Sequence, residues 1–348
     1  MSGKDIFEAL SPVLLNYGLQ PYYIEEFGKI HKIYSNNGVF ALKSVSPTLG
    51  TDFIRQVQFL YQKGYNRIVP IYPTMDGRYA VLYQNTLYYL MPWLSNEEKE
   101  DHIEKNKQLF RELARLHMLS TKEVKISKDE RKVHYETTLL LLEKDEEFIK
   151  GFIERCESKV YMAPFELQFC MYYHDIYQAI GYSKRNLEAW YEKTKEEEKV
   201  RTVITHGKFS SEHFLYDDRG YGYFMNFENA KPGSPYHDLL PYLSRSLKGY
   251  PRMCEECVDW LVTYDNYYPL KEGERLLMLS YFAHPASIMR VVQNYHKQQS
   301  RVNERKFSQK LQRQYWQLKN IEYICMRLEE IERQKKQQQE AQEKAQND

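Results

Sequence analysis

The sequence predicts an α+β fold, with a small antiparallel β lobe followed by a larger, mainly helical lobe. Between residues 22 and 91, short runs of β-branched and aromatic residues alternate with glycine, asparagine and aspartate turns. From residue 103 onward, apolar residues recur three and four apart, the period of a buried helix face. A second hairpin pattern, at 203–227, is embedded in that helical part and carries the residues with most chemical character.

In chain order, residues 5–16 read as a short helix closed by Tyr17 and Gly18. Residues 22–27, 31–35 and 39–45 are three strands, separated by Gly28-Lys29 and by Asn36-Asn37-Gly38, a strong hairpin signal. A helix is expected over 51–63. Residues 68–71, a turn at Asp76-Gly77-Arg78 and runs at 79–83 and 86–91 then complete a five-stranded lobe, residues 1–92, which Pro92 and Trp93 end.

In the larger lobe, residues 93–332, Phe110, Leu113, Ala114 and Leu116 make one apolar helix face, with His117 a packed structural histidine. A charged linker or loop at 122–131 precedes long amphipathic helices at 134–160 and 163–198, and further helices run through Trp260 and over 272–299. Leu311, Tyr315, Leu318, Ile321, Cys325 and Leu328 form a stripe that suits either a helix folded back on the lobe or a coiled-coil partner. Residues 333–348 contain no large apolar side chain, so a solvated helix end or a disordered tail is expected there.

Composition excludes several function classes. The 49 basic and 48 acidic residues nearly cancel, so no global charge points to nucleic acid or to a membrane surface. The most apolar late segment, 276–292, is broken by His284, Pro285 and Arg290 and reads as buried helices, not a membrane span. Residues 1–20 lack the pattern of a secretory signal, and five cysteines are too few and scattered for a disulfide framework. Synthesis in the cytoplasm is expected. Cys254 and Cys257 form a lone CxxC without a second pair and are read as two ordinary helix cysteines. The 31 tyrosines are read as amphipathic filling of core and surface.

The segment 203–240 has His206-Gly207, then Lys208 and His213, then Asn226-Phe227-Glu228, then Gly233-Ser234-Pro235-Tyr236-His237-Asp238-Leu239. This order resembles the catalytic segment of the aminoglycoside phosphotransferase and choline kinase-like branch of the protein-kinase fold. The resemblance implies a two-lobe kinase-like fold with His206, Gly207 and Asp238 as structural motif residues. It also implies that Lys43, on the run Val39 to Val45, is the phosphate-binding lysine. The glutamate expected to pair with it is replaced by Gln56, and the backbone of Leu90 and Met91 would receive a nucleotide base.

Against that family pattern the chemistry is degraded. Lys208 stands where the catalytic aspartate would be, His213 at the metal-binding asparagine and Asn226 at the principal metal-binding aspartate. A lysine, with an ordinary pKa of about 10.4, cannot accept the substrate proton. Mg²⁺ prefers carboxylate and other oxygen ligands, and of its usual seat Glu228 is the one carboxylate left. No catalytic residue, metal or cofactor is therefore expected; if ATP and Mg²⁺ bind, Lys43, Gln56, Leu90, Met91 and Glu228 are the nucleotide contacts and Glu228 is the metal candidate.

In its overall texture the chain is similar to the CotS family of spore-coat proteins, within it the YsxE type. That resemblance implies a protein made in the mother cell of a spore former, located in the spore coat and partnered by other coat proteins. Three functions follow: a catalytically degraded pseudokinase with a structural or interaction role, an active phosphotransferase with a rearranged catalytic set, or an assembly module acting through its C-terminal helix. Neither a ligand nor an oligomeric state is readable.

Overall fold

The computed structural model describes residues 3–94, 102–298 and 303–347. In chain order the elements are α1 (Gly3–Leu15), β1 (Pro21–Phe27), β2 (Ile30–Ser35), β3 (Gly38–Val45), α2 (Asp52–Gln62), β4 (Val81–Tyr83), β5 (Thr86–Pro92), α3 (His102–Ser120), β6 (Lys122–Lys125), α4 (Lys128–Glu157) and α5 (Pro164–Thr194). There follow β7 (Lys199–Thr205), β8 (Phe214–Tyr216), β9 (Gly222–Phe224), β10 (Lys231–Gly233), α6 (Tyr236–Ser246), α7 (Glu255–Tyr267), α8 (Glu272–Ala283), α9 (Ala286–Lys297) and α10 (Glu304–Asn347). The chain divides into two compact units. The first holds residues 1–122 and 202–238, the second 123–201 and 239–348.

The first unit is built on a five-stranded antiparallel sheet in the order β1-β2-β3-β5-β4. Its hairpins follow the turn chemistry of the sequence. Phe27 pairs with Ile30 around Gly28-Lys29, Ser35 with Gly38 around Asn36-Asn37, and Tyr83 with Thr86 around Gln84-Asn85. Gln84 and Asn85 both have positive φ, 46° and 57°, the conformation that matches a two-residue turn to the twist of its strands. One sheet face, carrying Ile33, Leu42 and Leu90, packs with Leu10, Val13 and Leu14 of α1 in a shared core. Strand alternation then puts Lys43, beside Leu42, on the opposite face.

Residues 68–71 are not a strand of this sheet. Instead Ile68 makes a parallel bridge to Phe224, and Tyr72 bridges Leu90. Pro70 lacks the N–H that a continuous ladder needs, so the segment serves as a tie. Val69 N donates to Phe224 O (2.8 Å) and Phe224 N to Arg67 O (2.9 Å), which fixes the β8–β9 hairpin to the sheet side of the unit.

The second unit is helical. The expected linker at 122–131 is short strand β6 followed directly by α4, which begins with a complete capping box between Ser127 and Glu130. Aromatic side chains dominate its core: Phe165 stacks on Tyr295 at 3.9 Å and meets Phe152 and Phe307 edge-on. Several tyrosines bury a ring and bond an acid with the hydroxyl, as Tyr315 does in stacking on Tyr172 while donating to Asp175 (2.5 Å). In α10, Leu311, Leu318, Ile321, Ile324 and Cys325 are buried, so the helix packs back within its own unit. The helix continues through Asn347, and from residue 333 to 342 its side chains are mostly exposed. Lys335 pairs with Asp265 and Lys336 with Glu272. Residues 299 and 348, at the ends of two expected segments, lie outside the described residues.

Candidate functional site

All the residues of the candidate site belong to the first unit. Strand β7 ends at Thr205 and pairs there with Lys231 of β10, which leaves His206 and Gly207 at the start of a loop. Asp238 anchors that loop. Its carboxylate accepts His206 N at 2.7 Å and Gly207 N at 2.8 Å, and a ring N–H of buried His117 at 3.2 Å. Burial pushes the Asp238 carboxyl up, but the hydrogen bond and charge of His117, followed by His206, outweigh it and hold the group below the usual range. A buried carboxylate with three donors fixes a loop because losing any of them strands a charge.

His206 is fully buried. Its Nδ1 accepts from Lys208 N (3.2 Å) and its Nε2 therefore donates to Met225 O (2.8 Å), the pattern of a neutral imidazole. Desolvation, against the opposing charge of Asp238, drives its pKa down to about 4. Gly207 has φ +76°, and a Cβ there would meet Asn229 O at 2.3 Å, so the position takes only glycine. Thus His206, Gly207 and Asp238 form one hydrogen-bonded unit.

The loop presents Lys208 and His213 next. The Lys208 side chain is exposed, and its carbonyl accepts the His213 Nδ1–H at 2.7 Å. Met225 N donates to His213 O (2.9 Å), and Asn226 follows in the left-handed conformation, φ 66° and ψ 49°, which asparagine tolerates better than most residues.

The centre of the arrangement is Lys43. Its ammonium donates to Asn226 Oδ1 and to Glu228 Oε1, and Tyr89, its cross-strand neighbour on β5, donates its hydroxyl to the same Glu228 oxygen. Lys43, Tyr89 and Glu228 are all buried. Burial lowers the Lys43 pKa against the pull of Glu228, with Lys208 and Lys29 adding to the lowering. Burial raises the Glu228 carboxyl, and the Lys43 charge and hydrogen bond, with that of Tyr89, bring it below the usual range.

Of the other expected contacts, Gln56 is half-buried on α2, and the carboxylate paired with Lys43 is Glu228. Leu90 and Met91 are buried on β5; Leu90 faces the α1 core and its carbonyl already accepts Tyr72 N at 2.8 Å. The sequence reading missed Tyr89. The signal was its place on the strand next to Lys43, but the pairing of positions 43 and 89 becomes visible only with the register of β3 and β5.

The donor set does not fit a divalent metal. Asn226 supplies an amide oxygen and Glu228 a carboxylate, and both are engaged by a buried ammonium. Among the described residues no group of three His, Cys, Asp or Glu side chains is placed to hold a metal ion. No helix among them is long and apolar enough to cross a membrane.

The structure is similar to an aminoglycoside phosphotransferase from Alicyclobacillus acidocaldarius, with a TM-score of 0.65 at 14% identity over 92% of this chain and 96% of that one. The fold is kinase-like. Spectinomycin phosphotransferase APH(9)-Ia, solved with ADP and spectinomycin, gives a TM-score of 0.51 at 11% identity over 93% of this chain and 99% of that one. The choline kinase LicA from Streptococcus pneumoniae gives 0.45 at 15% identity over 90% and 98%. At such identities the likeness is one of fold. No protein-family model matches the sequence, and no curated protein matches it.

Proposed function

We propose that the chain is a pseudokinase, a phosphotransferase fold kept as a scaffold with a structural or interaction role. The observation that carries this reading is the closed triad of Lys43, Asn226 and Glu228, in which the groups expected to hold phosphate and metal neutralise one another. Phosphoryl transfer depends on metal-bridged phosphates and a group that positions and accepts the hydroxyl proton. Lys208, in that last position, offers N–H donors and no carboxylate. Opening the triad for Mg²⁺ means separating a buried ion pair, which costs about 3–5 kcal/mol when one partner is simply removed.

The setting of that role in spore-coat assembly rests on the resemblance of the sequence to the CotS group, with other coat proteins as partners. A fluorescent fusion in a spore-forming bacterium tests it: a ring around the forespore is expected, and diffuse mother-cell signal would remove the coat assignment. The loss of catalysis is tested with radiolabelled ATP and Mg²⁺ on the full chain. No transfer above the protein-free blank is expected, and turnover abolished by Glu228→Gln would overturn the reading.

A further inference from the structure

Helix α7 opens on a pair of thiols in the second unit. Cys254 is its N-cap and Cys257 lies in its first turn, with Cys257 N donating to Cys254 O at 3.1 Å. A turn closed in this way holds its first and fourth Cα atoms within about 7 Å. A disulfide spans about 4.4–6.8 Å between Cα atoms, so the backbone is already set for one. The two side chains are buried, at 3% and 0% exposure.

We propose that Cys254 and Cys257 form a redox-active dithiol whose substrate is the disulfide of a small thiol, with Cys254 the attacking sulfur and Cys257 the resolving one. The two thiols differ in the sense this division needs. The hydrogen bond from Cys257, then the Cys257 backbone N–H and the charge of Arg252, draw the Cys254 thiol down despite burial. The same hydrogen bond and burial push Cys257 up. Burial raises both Cys156 on α4 and Cys170 on α5. Cys325 is raised as well. A lowered thiol is the nucleophile in exchange, and a raised one waits in reserve.

The steps balance. The Cys254 thiolate attacks one sulfur of RS–SR, forming a mixed disulfide and releasing RS⁻, which takes up a proton. Cys257 then gives up its proton and attacks the Cys254 sulfur, releasing the second thiol. Two electrons and two protons pass from the protein to the small disulfide.

Access runs through the loop leading into Cys254, where Tyr250 is 68% and Met253 79% exposed. That loop is tied to α10 by one side chain. Asn320 donates to Leu247 O (3.0 Å) and Tyr250 O (3.2 Å) and accepts Arg252 N (2.7 Å). Releasing this clasp opens the route to the sulfur, so Asn320 is a positioning residue for the exchange.

The test equilibrates the folded full chain in glutathione buffers of increasing oxidised fraction, followed by acid quenching, alkylation and peptide mass spectrometry. One disulfide linking Cys254 and Cys257 is expected, with Cys156, Cys170 and Cys325 still reduced. In Cys257→Ser one glutathione accumulates on Cys254, Cys254→Ser accumulates none, and Asn320→Ala oxidises several-fold faster. Five thiols surviving in fully oxidised glutathione, or a disulfide between Cys156 and Cys170 instead, would overturn the proposal. The wild-type result decides even where a variant fails to fold, and neither outcome touches the pseudokinase reading, which concerns the other unit.

Discussion

The Lys43 ammonium is bonded to the Glu228 carboxylate, a contact between residues 185 positions apart in the chain that closes the centre of the candidate site. Both side chains are almost fully buried, so the pair is strong only while both partners remain. Glu228→Gln leaves a buried ammonium without its counter-charge, and an unfolding free energy lower by about 3–5 kcal/mol is expected from urea titration. The double variant Lys43→Met, Glu228→Gln recovers much of that loss. Additive losses in the two single variants would instead show that the pair has no mutual dependence.

Gly207 is a position with no room for a methyl group. A Cβ meets the Asn229 carbonyl and the backbone has positive φ, so Gly207→Ala lowers stability by about 1–3 kcal/mol from backbone strain alone. Thermal unfolding of that variant beside Gly28→Ala, whose Cβ would meet nothing within 4 Å, separates crowding from the shared cost of positive φ. Equal losses at the two positions would contradict the tight approach of the loop to Asn229.

The fold was legible in the sequence wherever local rules decide it. Hairpin turns at Gly28 and Asn36, the alternation that sets Lys43 opposite Leu42, and the helical stripe of Leu311, Leu318 and Ile321 all depend on neighbours a few residues apart. The site was legible as a set of positions but not as a set of bonds. That Lys43 binds Asn226 and Glu228, and that Tyr89 joins them, depends on strand register and on the return of a distant loop, which no local periodicity encodes. The tie at residues 68–71, where Ile68 bridges Phe224, likewise depends on a distant residue.

His206 makes stability depend on pH in a predictable direction. Its ring is neutral and buried, with a pKa lowered to about 4 chiefly by desolvation; Asp238 and Glu228 oppose that lowering and His213 adds to it. In the unfolded chain the ring titrates near about 6.5, so as pH falls the unfolded state takes up the proton first. The contribution is complete above about 6.5 and is lost progressively down to about 4, a total of about 3 kcal/mol. Asp238 and Glu228, both held below the usual carboxylate range, add a loss in the same direction at lower pH. Urea midpoints at pH 7 and pH 4.5 should differ accordingly, and the slope between them should flatten in His206→Gln.

The end of α10 carries little of the fold. Its ion pairs, Lys335 with Asp265 and Lys336 with Glu272, are partly exposed, and such pairs contribute less than about 1 kcal/mol each. Removing residues 334–348 should leave the melting temperature almost unchanged, whereas ending the chain at 310 exposes the faces that Leu311, Leu318 and Ile324 cover and should abolish cooperative unfolding.

The central claim, that the kinase-like site is closed upon itself, is tested most directly by the thermal stability of the full chain in ATP with and without Mg²⁺. A ligand that binds the native state raises the melting temperature by mass action. The closed triad predicts that adding Mg²⁺ at saturating ATP produces no further rise. A saturable, Mg²⁺-dependent stabilisation, lost in Glu228→Gln, would show the carboxylate free to hold metal and would contradict the account.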